Sequence, residues 1–207
     1  MATWIDRQLR ARGIRDERVL DAMARVPREL FVPAGARAHA YDDAALLLAH
    51  GQTISQPYIV ALTCELLTLD GTETVLDVGT GSGYAAAVLA ELAASVVTVE
   101  RIPELADRAA ETLRQAGYEQ VEVRVGDGAL GARDRAPFGG IAVAAAAPEV
   151  PPALWEQLAV GARIVLPLEL AGGQRLVALE RTPSGPRLHG STTVRFVPLV
   201  SGAWPAR

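Results

Sequence analysis

One acid and three glycines at alternate positions stand out: Asp77-Val78-Gly79-Thr80-Gly81-Ser82-Gly83, placed directly after an apolar run and before an alanine-rich stretch. Glycines at that spacing let the backbone bend tightly and approach a ligand with no Cβ in the way. A dinucleotide could use such a turn, but its GxGxxG fingerprint needs a glycine at position 84, where this chain has Tyr84. Glu100 closes the next apolar run, 17 positions after Gly83, where an acid can accept both hydroxyls of a ribose. Gly126-Asp127-Gly128 follows the third run. Taken singly, Glu100 could be a surface charge paired with Arg101, and Asp127 a turn former.

These residues need elements to hold them. Short apolar runs at 75–78, 96–99, 121–125, 141–145 and 164–168 read as strands, and the segments 82–93, 103–116 and 151–159 between them read as helices. Such alternation predicts a doubly wound, mostly parallel α/β sheet covered on both faces, with its ligand site at the strand C-termini. Two closing strands are expected at 176–180 and 192–197, paired as a hairpin. Ahead of the sheet, 3–12 and 16–25 read as amphipathic helices, the second capped by Asp16 with Val19, Leu20, Met23 and Val26 inside. Residues 28–49 read as a loop-rich cap. Pro57 opens a further helix with Ile59, Leu62, Leu66 and Leu67 facing inward. The expected division is a helical cap and substrate segment at 1–70 and a ligand-binding α/β domain at 71–207, together one compact unit.

Composition narrows the function. The chain has 207 residues, half of them apolar, and 20 basic against 24 acidic side chains. A net charge of −4 argues against a nucleic-acid-gripping face. Cys64, the single cysteine, excludes an internal disulfide and any zinc cluster, and its apolar surroundings mark it as a core residue. His39, His50 and His189 have no triad spacing. Residues 1–12 mix Trp4, Ile5 and Leu9 with charges, unlike a signal peptide, and no apolar run reaches the ~20 residues of a membrane span. A cytoplasmic monomer without metal is expected.

The Asp-x-Gly-x-Gly-x-Gly turn resembles the first motif of the class I S-adenosylmethionine methyltransferases. That resemblance implies a site for S-adenosylmethionine, or its product S-adenosylhomocysteine, formed by Asp77, Gly79, Thr80, Gly81, Ser82, Gly83, Tyr84, Glu100, Arg101, Asp127 and Gly128. Asp77 would face the ammonium of the cofactor, Glu100 its ribose, and Asp127 with Gly128 the adenine edge.

A second segment, Gly51-Gln52-Thr53-Ile54-Ser55-Gln56-Pro57-Tyr58, has no part in a generic methyltransferase fold. With Ala136-Pro137-Phe138, the stretch 148–154 and Val194-Arg195-Phe196-Val197-Pro198-Leu199-Val200, it is similar to the protein-L-isoaspartate O-methyltransferases over residues 4–201. The resemblance makes Ser55 the functional serine that holds the substrate carboxylate. It puts Thr53, Ile54, Gln56, Pro57, Val197, Pro198 and Leu199 against an isoaspartyl peptide, and it implies reordered final strands. Ser55 could instead simply cap the helix opening at Pro57. The family's ester closes spontaneously to a succinimide, so its activity is repair.

The chemistry asks little of the protein. A carboxylate with a reference pKa of about 4 is already ionised at neutral pH, so no general base is needed. Alignment of oxygen, methyl carbon and sulfur in a water-poor pocket is what remains. Other readings are a methyltransferase acting on ordinary aspartate in a dedicated peptide, a non-catalytic S-adenosylmethionine-binding regulator, and a nicotinamide oxidoreductase, the last disfavoured by the glycine spacing. Departures from the family pattern are Leu47 and Ala49, where Pro and Gly are usual, Gly139 in place of an acid, and Ala144 in place of Thr.

Overall fold

The computed structural model describes residues 3–202 and 204. Helix α1 (Trp4–Gln8) starts at a reciprocal cap: the Thr3 hydroxyl accepts the Asp6 N–H at 3.2 Å, and the Asp6 carboxylate accepts the Thr3 N–H at 2.9 Å. The predicted helix at 3–12 is therefore shorter than expected, giving way to a 3-10 turn at Arg10–Arg12 that ends on left-handed Gly13. Helix α2 (Glu17–Arg25) is capped by Asp16, whose carboxylate accepts the Arg18 N–H at 2.9 Å. Val19, Leu20, Met23 and Val26 are buried as expected.

The cap ends in a two-stranded antiparallel ribbon, β1 (Leu46–Leu47) with β2 (Thr53–Ile54), and then helix α3 (Pro57–Leu67). The inward stripe of α3 matches the predicted one only at Leu67. Val60, Ala61, Cys64 and Leu67 are buried, whereas Ile59, Leu62 and Leu66 are only partly covered. The helix is apolar nearly all round, so its period leaves the inner face undetermined, and packing against the sheet decides it.

The α/β part runs β3 (Thr74–Val78), α4 (Tyr84–Ala90), β4 (Ser95–Glu100), α5 (Pro103–Gln115), β5 (Glu122–Val125), β6 (Phe138–Val143), α6 (Pro152–Gln157), β7 (Leu158–Leu170), β8 (Gly173–Thr182) and β9 (Gly185–Thr193). One seven-stranded sheet has the order β5-β4-β3-β6-β7-β8-β9. Strands β5 to β7 are mutually parallel, and β8 and β9 continue as an antiparallel meander. This is the doubly wound architecture expected from the sequence, with the final strands in chain order. Successive side chains sort to opposite faces. Val75, Val96, Ala142 and Val165 join the cluster under the cap helices and α3, while Leu76, Val97, Ile141 and Ile164 join the cluster beneath α6.

Further boundaries differ from expectation. The helix at 151–159 stops at Gln157, because Leu158 already pairs with Phe138 and the chain continues as one strand to Leu170. Helix α4 starts at Tyr84 rather than 82, since Gly83 holds φ +87° as its N-cap. The last strand lies at Gly185–Thr193 instead of 192–197, in a polar sequence whose pairing with β8, Leu188 opposite Leu179, decides the strand. Residues 194–199 are extended but leave that hairpin and run beside the loop after β6. There Ala146 N–H donates to Val197 O at 2.8 Å and Leu199 N–H to Ala146 O at 2.7 Å.

Candidate active site

From β3 the sheet grows to one side through β4 and to the other through β6, so the ends of these strands form the crevice that ligands use in such folds. Gly79, Gly81 and Gly83 all take positive φ (+94°, +54° and +87°), which side-chain-bearing residues adopt at a cost. The turn they make folds back onto β4. Gly79 N–H donates to Val99 O at 2.9 Å, and Gly81 N–H donates to the Glu100 carboxylate at 2.9 Å. The other Glu100 oxygen accepts the Ile102 N–H at 3.0 Å. Glu100 is 7 % exposed, so both oxygens are held rigidly at the cleft wall with lone pairs left for a diol. It is not the surface partner of Arg101 that a reading of the residue alone allowed.

The cleft so formed is floored by Val78, Gly79 and Gly128 and walled by Glu100, Arg101 and Ile102. Its rim comes from Gly51–Thr53 on one side and Val197–Val200 on the other. A Cβ at Gly128 would lie 2.5 Å from the Val78 side chain, so the close floor depends on glycine. Asp127 caps the short turn Gly128–Leu130 through the Ala129 N–H at 2.9 Å, and its second oxygen accepts the Gly202 N–H at 2.6 Å. Trp204 lies with its ring 4.8 Å from the Arg101 guanidinium and edge-on to His50. Gly202 and Trp204 thereby lie beside Asp127 and Arg101 respectively.

Asp77 is placed differently from the glycines. Its side chain points from β3 toward α3, 1 % exposed, and lines a small inner cavity shared with Ser55, Cys64, Ala144 and Phe196. Thr98 donates to its carboxylate at 2.8 Å, and the Thr80 and Thr98 hydroxyls lie 2.6 Å apart. Since the Thr98 proton is given to Asp77, Thr80 must donate to Thr98. Burial raises the Asp77 pKa to about 7 against the opposing Thr98 hydrogen bond, with Glu100 raising it further. Thr80 thus serves the turn from behind. Tyr84 is turned away as well: its ring is buried against Phe31 and Arg28, so only its backbone faces the turn. Ser82 accepts the Tyr84 N–H at 3.3 Å.

Ser55 is partly buried and lines both the inner cavity and a groove formed with Gln56, Ile59, Arg195 and Phe196. Thr53 and Val197 line both that groove and the cofactor-type cleft. Ser55 therefore stands between the inner cavity and the groove, and Thr53 and Val197 connect that groove to the cleft. Helix α3 takes Gln56 as its N-cap without any side-chain bond, so the capping alternative for Ser55 is not realised, and among the described residues its hydroxyl is uncommitted. Of the other expected peptide contacts, Gln56 and Val197 line the groove, while Ile54 and Pro57 are buried and do not line it. Pro198 and Leu199 lie on the cleft side. Gln174 anchors this segment, its amide accepting the Phe196 N–H at 2.6 Å. The departures fit locally: Leu47 is 74 % exposed on the ribbon, and a Cβ at Gly139 would fall 2.5 Å from the Glu73 side chain. Among the described residues no His, Cys, Asp or Glu cluster could hold a metal.

Thr98 and Arg28 fall outside every motif legible in the sequence, and Phe196 enters only as part of the Val194–Val200 stretch. Thr98 could have been noticed as a hydroxyl inside the otherwise apolar run Val96-Val97-Thr98-Val99.

The sequence model of the protein-L-isoaspartate(D-aspartate) O-methyltransferases matches residues 3–203. The chain belongs to this family. It is 55% identical over 201 residues to protein-L-isoaspartate O-methyltransferase 2 of Marinobacter nauticus, covering 96% of this chain and 92% of that one. It is 54% identical over 194 residues to the protein-L-isoaspartate O-methyltransferase of Roseiflexus castenholzii, covering 93% and 89%. A solved protein-L-isoaspartate O-methyltransferase superposes with TM-score 0.82 at 28% identity, over 93% of this chain and 63% of that one. A Plasmodium falciparum structure of the same family description, in complex with S-adenosyl-L-homocysteine, has the same fold, with TM-score 0.82 at 24% identity over 96% and 97% of the chains. In this methyltransferase family frame, the 51–58 segment is the part that joins the groove to the cleft.

Proposed function

We propose that the chain transfers a methyl group from S-adenosylmethionine to the carboxylate of L-isoaspartyl residues in damaged peptides and proteins, starting their repair through a succinimide. The observation that carries this is the position of Ser55 between the inner cavity beside Asp77 and the groove that Thr53 and Val197 share with the cleft, in a chain of this family. The residues fit the cofactor: a glycine cradle free of Cβ atoms, an acid with both oxygens fixed for a ribose, and a buried acid beside the inner cavity for an ammonium. When bound, S-adenosylmethionine supplies an activated methyl on a sulfonium.

The protein's own part is alignment. Asp77 would hold the amino-acid end, Glu100 the ribose, and Asp127 with Gly128 the adenine edge. The Ser55 hydroxyl, uncommitted in the fold, would donate to one substrate carboxylate oxygen and leave the other free to accept the methyl group. The groove beside Arg195 and Phe196 takes the flanking peptide backbone. Opposite charges are neutralised along the reaction path, so the apolar walls from Ala144, Ile59 and Phe196 favour it over bulk water.

The same reading has the protein acting as a cytoplasmic monomer on peptides and proteins, without nucleic acid, and treats the division at residues 70 and 71 as one of roles, since Ile5 and Val75 share a core cluster. The ends of that division, residues 1 and 207, lie outside the described residues. Among the described residues no helix is long and apolar enough to cross a membrane.

Labelled S-adenosylmethionine with two peptides differing only in isoAsp for Asp tests the function. Methylation confined to the isoAsp peptide is expected. Preference for the Asp peptide would move the chain to the dedicated-peptide reading, and cofactor binding without transfer to either would make it a regulator.

A further inference from the structure

Arg28 is wholly buried, at 0 % exposure, in the turn that follows α2. Its Nε donates to Ala40 O at 2.7 Å and its Nη2 donates to Ser55 O at 2.8 Å. Its guanidinium lies 4.6 Å from the centre of the Tyr84 ring. Nη1 is buried with no acceptor, and among the described residues no carboxylate comes within ion-pair distance. The nearby acids are engaged elsewhere, Asp43 with Arg12, Asp42 with His39 and Glu29 with the Tyr41 hydroxyl, so that Asp43 supports the Arg28 charge only from beyond ion-pair distance.

A buried cation without a counterion is costly, and two backbone carbonyls could have been satisfied by a neutral donor. A guanidinium stays protonated under such conditions. What this fold gains is therefore a fixed positive charge directly behind the peptide unit of Ser55. The Ser55 carbonyl is bound by that guanidinium before the chain enters α3, so the direction of the Ser55 side chain depends on it.

We infer that Arg28 is a positioning residue for the methyl acceptor: it clamps the Ser55 peptide and sets a positive field that selects a negatively charged carboxylate over a neutral group of the same shape. This rests on the reading of Ser55 as the substrate serine. The ester product carries no charge at that position, so the same field holds substrate and releases product.

The test compares an isoAsp peptide with its uncharged isoAsn counterpart, the latter as a competitive inhibitor, in wild type, Arg28→Met and Arg28→Lys. S-adenosylhomocysteine affinity by calorimetry serves as the control for a general structural role. Arg28→Met is expected to reduce the preference for the charged peptide about tenfold or more, with S-adenosylhomocysteine affinity held within about twofold. Arg28→Lys is expected to keep the charge preference while lowering kcat. An unchanged preference in Arg28→Met, or parallel loss of peptide and S-adenosylhomocysteine affinity, overturns the inference. If Arg28→Met does not fold, the cycle of Arg28→Lys with Ser55→Ala decides: effects on peptide kcat/KM that simply add mean that Arg28 does not act through Ser55. Failure of the underlying reading has a different signature, an Ser55→Ala enzyme with unaltered kcat and KM.

Discussion

The carboxylate of Glu100 accepts the backbone N–H of Gly81 at 2.9 Å, so the end of β4 and the glycine turn after β3 are locked together before any ligand arrives. The acid and the cradle are one unit. Pre-arrangement of this kind lowers the cost of binding, because neither group must be ordered by the ligand.

Glu100→Ala should thus weaken S-adenosylhomocysteine more than loss of ribose bonds alone would, since the Gly81 and Ile102 amides also lose their acceptor. We expect affinity to fall about a hundredfold, with peptide KM little changed at saturating cofactor. Calorimetry with S-adenosylhomocysteine checks this, and intact affinity would remove Glu100 from the ribose site.

Asp77 couples cofactor binding to pH. Burial lifts its pKa to about 7, and an ammonium placed beside it must draw the pKa down. Affinity for S-adenosylhomocysteine should climb as pH rises toward about 7, with proton release visible as a buffer-dependent binding enthalpy. In the free protein the sign reverses. The folded pKa lies above the unfolded value of 3.8, so the stability tied to this group is complete below that value and is lost as pH rises through about 7. Asp77→Asn should flatten both profiles, raise Tm most at alkaline pH, and weaken the cofactor.

Ser55→Ala removes an uncommitted hydroxyl from a partly buried position, so the fold should hardly notice. Turnover on an isoAsp peptide is expected to drop about ten- to a hundredfold, while Tm and S-adenosylhomocysteine affinity stay as they were. Equal losses in turnover and cofactor affinity would contradict a substrate-side role.

Gly128→Ala brings a methyl group within 2.5 Å of Val78, on the cleft floor. The strain should cost about 1–3 kcal/mol of stability, and the cleft should bind S-adenosylhomocysteine less well. Gly35→Ala, where nothing lies within 4 Å, is the matched control. Equal melting temperatures for the two variants would mean that Val78 yields freely.

What could be read from the sequence was what local spacing determines. The Asp77–Gly83 turn, Glu100 at a strand end and the cap at Asp16 each follow from residues within a few positions of one another, and all three stand where expected. The inner face of α3 could not be read, because Ile59, Leu62 and Leu66 are as apolar as the residues that won burial. Strand β9 was hidden by its polar sequence, and the apolar alternation at 194–197 imitated it. The Thr80–Thr98–Asp77 relay and the bond from Arg28 to Ser55 join residues 18 to 27 positions apart, distances at which only the assembled fold brings partners together.

Thr53 and Val197 belong to the walls of two chambers at once. Any displacement of these residues when one chamber fills is felt in the other, which makes the two ligands thermodynamic partners. Such a linkage is reciprocal: whatever factor the cofactor contributes to peptide affinity, the peptide must return to the cofactor.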